Sequence, residues 1–147
     1  TMTRREVREH TFRALFQKEF YNSEEYPEQY QRYLEDPVFS EDTDAAAQMD
    51  DATREYLTGR VASIAEKSPE LDEKINAVAR GWKTNRMGKV EVSLLRLATY
   101  EILYDEEIPE KVAINEAVEL AKRYGTDDSS SFVNGILGEL VKKQGQE

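Results

Sequence analysis

The sequence contains no cysteine and only one histidine, His10, in 147 residues. Without cysteine there is no disulfide, thiolate zinc site, iron–sulfur cluster or cysteine nucleophile, and such usage suits a reducing cytosol. A Ser-His-Asp triad would have to be built on His10. The paired Glu-x-x-His motifs of a bundle di-iron site are excluded, the more so because Val7 stands where the Glu would be. Positive charge is also scarce: 20 Lys plus Arg face 30 Asp plus Glu, a formal charge of −10. A chain of that sign does not coat nucleic acid or anionic membrane by bulk charge, so any nucleic-acid site must be a local patch. No apolar run approaches the roughly 18 residues of a membrane span, and the N-terminal region lacks the apolar stretch of a secretory signal. The expectation is a soluble, unprocessed, cytoplasmic protein with no membrane partner. Thr1, ahead of Met2, has the character of a cloning remnant and is set aside. There is no Walker loop and no G-x-G-x-x-G, and the run from Asp42 and Asp44 places Ala47 and Thr53 where a calcium loop needs Gly and Glu. No cofactor and no metal is expected.

What is present is helical periodicity. With 39% apolar residues, the chain can bury one sizeable core. Thr3 followed by Arg4, Arg5 and Glu6 has the form of a capping box. Val7, Thr11, Ala14 and Leu15 then recur at helical spacing, with Phe12, Phe16 and Phe20 on an adjoining stripe, which predicts a helix over about 4–20. Residues 22–55 hold eleven acidic residues against Arg32 and Arg54. They predict a short helix carrying Tyr30, Tyr33 and Leu34, then a solvated acidic loop over about 35–48. A further helix is expected over about 49–67, and Ser68 with Pro69 reads as the start of another that carries Leu71, Ile75, Val78, Ala79 and Trp82. The window 80–89 has two glycines, four basic residues and no acidic one, and marks a break. Beyond it, Val90 to Tyr104 is apolar on several faces, as in a central core helix. Pro109 opens a helix ending at Gly125, expected as a left-handed cap, and Asp128 or a neighbouring serine caps the last one. The fold class is all-α, with about seven helices and no competing strand pattern. The expected organisation is a single domain, 2–147, with helical halves of about 2–82 and 87–147.

Charge is segregated within this acidic chain. Residues 1–20 carry five basic side chains, Arg4, Arg5, Arg8, Arg13 and Lys18, against three acidic ones, and residues 80–89 add Arg80, Lys83, Arg86 and Lys89. Arg4 and Arg8 share a helical face. Arginine grips phosphate with a planar fork of donors and stacks on unpaired bases, so exposed arginines beside an aromatic such as Phe16 or Phe132 fit single-stranded RNA. The bland alternative is a solvated helix face. It must accept basic residues at the positive end of the helix dipole, at a cost of a few tenths to about 1 kcal/mol.

The runs Leu94-Leu95-Arg96-Leu97-Ala98-Thr99-Tyr100-Glu101, Val112-Ala113-Ile114-Asn115-Glu116-Ala117-Val118-Glu119-Leu120-Ala121-Lys122 and Phe132-Val133-Asn134-Gly135-Ile136-Leu137, with Ile108-Pro109 and Tyr124-Gly125 between them, resemble the NusB family of transcription antitermination proteins. Arg4-Arg5-x-x-Arg8-Glu9 with Ala14-Leu15-Phe16 resembles that family's opening helix, and Trp82 and Arg86 its mid-chain link. The resemblance implies two packed three-helix bundles and no catalysis. It implies binding to boxA-type single-stranded RNA of nascent ribosomal RNA together with ribosomal protein S ten (NusE), within an RNA polymerase antitermination complex. It assigns RNA contact to Arg4, Arg5, Arg8, Phe16, Lys111 and Phe132, and contact with the protein partner to Glu91 and Asp128. Two other readings stand beside it: a helical protein-interaction module without RNA binding, and a NusB-like domain belonging to an RNA cytosine methyltransferase.

Several of these residues also have purely structural readings. Asn115 and Asn134 lie among apolar neighbours and are expected as buried hydrogen-bonding groups. Arg96 and Glu101 are expected to hold the central helix to its neighbours. Phe16 and Phe132 each lie beside core positions, although the main stripe passes through Val133, which leaves Phe132 nearer the surface. Trp82 is expected as an anchor between the halves because of the area an indole buries. Gly135 and Gly138, each costing about 1 kcal/mol inside a helix relative to Ala, suggest close helix approach.

Overall fold

The computed structural model describes residues 2–35 and 49–146, so most of the acidic loop expected at 35–48 lies outside the described residues. Among those described there are six α-helices and no strand: α1 (Arg4–Lys18), α2 (Tyr26–Glu35), α3 (Asp51–Val78), α4 (Lys89–Tyr104), α5 (Glu110–Tyr124) and α6 (Ser129–Gly145), with a 3-10 turn at Thr84–Arg86. The chain forms two compact units, one running to Ala65 and the other beginning at Glu66.

In the first unit α1 starts as its sequence dictates. The Glu6 N–H donates to Thr3 Oγ1 and the Thr3 N–H to Glu6 Oε1, each at 3.1 Å, so two N–H groups that have no helical partner are satisfied reciprocally. These bonds also hold the Glu6 carboxyl below its usual pKa. Six consecutive residues, His10 to Leu15, are buried, which means that the middle of α1 is enclosed on all sides while its first turn is not. Helix α2 follows a turn in which Asn22 Oδ1 accepts from the N–H groups of Glu24 and Glu25 at 3.0 and 2.8 Å. It is pinned by its tyrosines: the Tyr26 hydroxyl donates to the Ala14 carbonyl at 2.9 Å, Tyr30 bonds to Thr58 Oγ1 at 2.8 Å, and Tyr33 bonds to His10 Nδ1. The beginning of α3 presents Leu57, Val61 and Ile64 as a buried stripe.

Ser68 and Pro69 do not start a new helix; they lie inside α3, which is continuous for 28 residues. The buried stripe explains this, because Leu71 and Ile75 extend Leu57, Val61 and Ile64 in phase across the proline. A break at Pro69 would throw one half of that stripe out of register. Pro69 itself is exposed, and the carbonyl it leaves without a helical donor is that of Ala65, where the first unit ends.

In the second unit α4 is the core helix, with Val92, Leu94, Leu95, Leu97 and Ala98 all buried, and α4, α5 and α6 pack against one another pairwise. The end of α3 is tied to α4 by a two-pronged ion pair, Arg96 Nε to Asp72 Oδ1 and Nη2 to Asp72 Oδ2, both 2.8 Å. Gly125 is not in the left-handed region; its backbone is extended, with φ −98° and ψ −168°. The glycine is required by space, since a Cβ there would fall on the Ser129 side chain and within 2.8 Å of the Ala121 carbonyl oxygen. Asn115 and Asn134 are exposed, not buried, because α5 and α6 turn Ala113, Ala117, Val133 and Leu137 inward and leave the asparagines outside. Gly135 and Gly138 are exposed too, with nothing within 4 Å of either missing Cβ, so they do not mark a close helix approach.

Candidate nucleic-acid and partner surfaces

The first basic patch follows from the burial of α1. Arg4 and Arg5 are exposed in its first turn and Arg8, one turn on, is half-buried, so the free end of the helix carries guanidinium groups into solvent. Arg13 is not part of this patch: it is buried beside Glu9, with Nη2 3.8 Å from the carboxylate. Phe16, three turns further along, is half-buried. Its ring stacks on the buried Phe12 at 5.9 Å and meets the edge of Phe20 at 5.0 Å, and Phe20 is 56% exposed. Phe16 is therefore the middle ring of a ladder from core to solvent. The outermost ring, Phe20, is one to which the sequence pattern assigns no function.

His10 offers no catalytic centre. It is buried with its Nδ1 on the Tyr33 hydroxyl, and burial, reinforced by the Arg13 charge, pushes its pKa below the usual histidine value. A neutral imidazole in that position is a packing group.

In the second unit, Lys111 is exposed in the first turn of α5 and Phe132 is half-buried in the first turn of α6. Trp82 is not the buried anchor its size suggests. It is 58% exposed and meets Phe132 edge-to-face, with ring centroids 6.2 Å apart. The chain reaches this geometry by a sharp turn after α3, in which Arg80 has φ 23°, Gly81 has φ 85° and the Trp82 N–H donates to the Ala79 carbonyl at 3.0 Å. Beside the two rings lies an open concavity of about 400 Å3, lined also by Arg80, Gly135 and Glu139.

Glu91 and Asp128, assigned to a protein partner, have different environments. The Glu91 carboxylate accepts from the Ser129 hydroxyl, and Ser129 Oγ in turn accepts from the Thr126 N–H at 2.9 Å. Glu91 thus joins the start of α4 to the turn before α6, and that turn carries Asp128 exposed to solvent. Asp128 stands at the N-cap of α6 but makes no capping bond with its side chain. Sequence reasoning misses Ser129, which is 1% exposed. The usable signal is a glycine, Gly125, four residues before a serine, where only the absence of a Cβ lets the hydroxyl fold back.

Comparison with known proteins finds relatives over nearly the whole chain. The model of the NusB family matches residues 5–142. The transcription antitermination protein NusB of Lachnoclostridium phytofermentans is 49% identical over 140 residues, covering 95% of this chain and 99% of that protein. A solved NusB structure from T. maritima superimposes with a TM-score of 0.79 at 36% identity, covering 97% of this chain and 93% of the other. A crystal structure of the antitermination factors NusB and NusE in complex with dsRNA shares the fold at 24% identity, with a TM-score of 0.73 and coverage of 95% and 96%. A match of that extent, continuous from the arginine-bearing first helix to the last, places the chain in the NusB family.

Proposed function

We propose that this protein is a non-catalytic, RNA-binding transcription antitermination factor that pairs with ribosomal protein S ten (NusE) on boxA-type single-stranded RNA of nascent ribosomal RNA, within an RNA polymerase antitermination complex in the cytoplasm. The observation that carries the reading is the exposure of Arg4 and Arg5 at the free end of α1, in a chain whose relatives across nearly its whole length bear the name of antitermination proteins. Arg4, Arg5 and Arg8 supply phosphate contacts. Phe16, with Phe20 outside it, and Phe132 offer ring faces for unstacked bases. Lys111 adds a point charge. Asp128, presented on a turn braced by Glu91 and Ser129, is the acidic contact for a basic ribosomal protein. Because the chain itself is acidic, the basic partner provides phosphate contacts it lacks, and the two proteins bind RNA cooperatively.

No helix among the described residues is long and apolar enough to cross a membrane. The extent of the match to antitermination proteins favours this reading over an interaction module without RNA binding and over a domain of an RNA methyltransferase. Size-exclusion chromatography of the chain with S ten and a short boxA RNA tests it. Co-elution of all three components, abolished when the boxA sequence is scrambled, is expected; elution of the chain alone in every mixture overturns it.

A further inference from the structure

We infer that the concavity between the end of α3 and one face of α6 is a pocket for a single unpaired guanine base, stacked on Trp82 with Phe132 as a side wall and recognised at its Watson–Crick edge by Glu139. The inference rests on the reading of the chain as an RNA binder and names a base that this surface selects. Four observations lead to it. An indole 58% exposed beside a half-buried phenyl ring gives a stacking platform, and base–aromatic stacking is available to every base. The turn that presents the indole contains a non-glycine residue, Arg80, at positive φ, a strained conformation of the kind that persists where surrounding structure holds it for use. Gly135 lies on the α6 face between Phe132 and Glu139, and the space where its Cβ would stand is open, so the floor between ring and carboxylate is left clear at the cost of helix propensity. Arg80 and Glu139 both line the concavity and are exposed, so a donor and an acceptor border the space a ligand would fill.

The choice of base follows from the carboxylate. An ionised Glu accepts hydrogen bonds and donates none. Guanine alone presents two adjacent donors, N1–H and the 2-amino group, on its Watson–Crick edge. In adenine and cytosine the amino group is flanked by a ring acceptor, and in uracil the single N–H lies between two carbonyls; both arrangements repel a carboxylate. Charge favours RNA over an acidic or apolar peptide as the occupant, because Arg80 lines the pocket and the chain that leaves it carries two more exposed basic residues, Lys83 and Arg86.

Trp82 is the only tryptophan, so its emission reports occupancy of the pocket. The probes are uridine decamers carrying one guanosine, one inosine, which lacks the 2-amino group, or neither. The guanosine decamer is expected to quench Trp82 emission and to bind about tenfold more tightly than the inosine decamer, the loss of one hydrogen bond to a charged group. Glu139→Gln removes that preference, and Gly135→Leu, which fills the floor, removes the quench. Equal affinities for the three decamers, or binding without quenching, overturn the inference. A quench produced by S ten alone, and not increased by the guanosine decamer, shows that the pocket takes protein and overturns it as well. If boxA RNA and S ten assemble with the chain while Trp82 emission stays unchanged, the pocket is refuted and the antitermination reading stands. If no RNA of either kind binds, both fall.

Discussion

The buried hydroxyl of Ser129 donates a hydrogen bond to the carboxylate of Glu91, 38 residues earlier in the chain. Glu91 lies in the first turn of α4 and Ser129 opens α6, so one bond fixes the start of the core helix against the turn that displays Asp128. Glu91 is thereby a brace for that turn, on which the proposed partner contact, Asp128, is exposed.

These two roles separate under mutation. Ser129→Ala leaves the Thr126 N–H without its acceptor and the Glu91 carboxylate without its donor, and a cost of about 1–3 kcal/mol is expected. Asp128→Ala, at an exposed position with no side-chain capping bond, is expected to change stability by less than about 0.5 kcal/mol. Both variants are expected to weaken S ten binding. Thermal denaturation and a partner titration on the same samples check this; a Ser129→Ala protein of unchanged midpoint would show that the bond braces nothing.

Replacement of Arg4 and Arg5 by Glu takes the proposed phosphate contacts away from an exposed helix end and is expected to leave the melting temperature close to that of the parent. RNA affinity falls, and the slope of log K against log salt becomes shallower by about 0.7 for every phosphate that the variant no longer neutralises. Titrations at several salt concentrations measure that slope directly. An unaltered slope places the RNA elsewhere.

His10 makes stability depend on pH. Its folded pKa lies below the ordinary value of 6.5 because burial disfavours the imidazolium. As pH falls below that value the unfolded chain takes up a proton that the folded chain refuses, so stability is full above about pH 7 and declines on acidification toward the folded pKa. The slope is at most about 1.4 kcal/mol per pH unit for one proton. Carboxylates titrate in the same direction, so the test is a difference: the melting temperature of the parent should fall more between about pH 7.5 and 5.5 than that of His10→Gln. Parallel declines would mean that His10 is not the group responsible.

Pro69 lies exposed inside α3, where it provides no N–H for the Ala65 carbonyl. Proline in a helix interior costs up to about 3 kcal/mol relative to alanine, although the stiffer unfolded chain returns part of that. Pro69→Ala is expected to stabilise the protein by about 1–2 kcal/mol in denaturant unfolding. A loss of stability would show that the helix depends on the proline for its local shape.

Much of this fold is legible in local sequence. The capping box of Thr3 and Glu6, the stripe through Leu57, Val61 and Ile64, and the many-sided burial of α4 all follow from spacing, and each is present. Arg96 does hold the central helix, through Asp72. The misreadings share a cause. Pro69 is a local stop signal that a tertiary stripe overrides. Asn115 and Asn134 sit beside apolar residues in sequence, but on a helix the adjacent residue is rotated by about 100° and faces outward. Area alone misjudges Trp82, because the polar, glycine-containing window around it is too poor in apolar residues to enclose an indole, and Phe132 meets only one side of the ring. Ser129 is invisible because its partner, Glu91, lies in a different helix. Residue-type reasoning identifies which side chains suit RNA, while exposure, which separates Arg4 from Arg13, comes only from packing.

The most direct test of the central claim is an equilibrium titration of the chain with a short single-stranded boxA RNA, with and without S ten, at about 50 and 200 mM salt. The account predicts saturable binding that is selective for the boxA sequence, tightens with the partner and weakens with salt. Binding of neither RNA nor partner would contradict it, leaving a NusB fold whose function lies elsewhere.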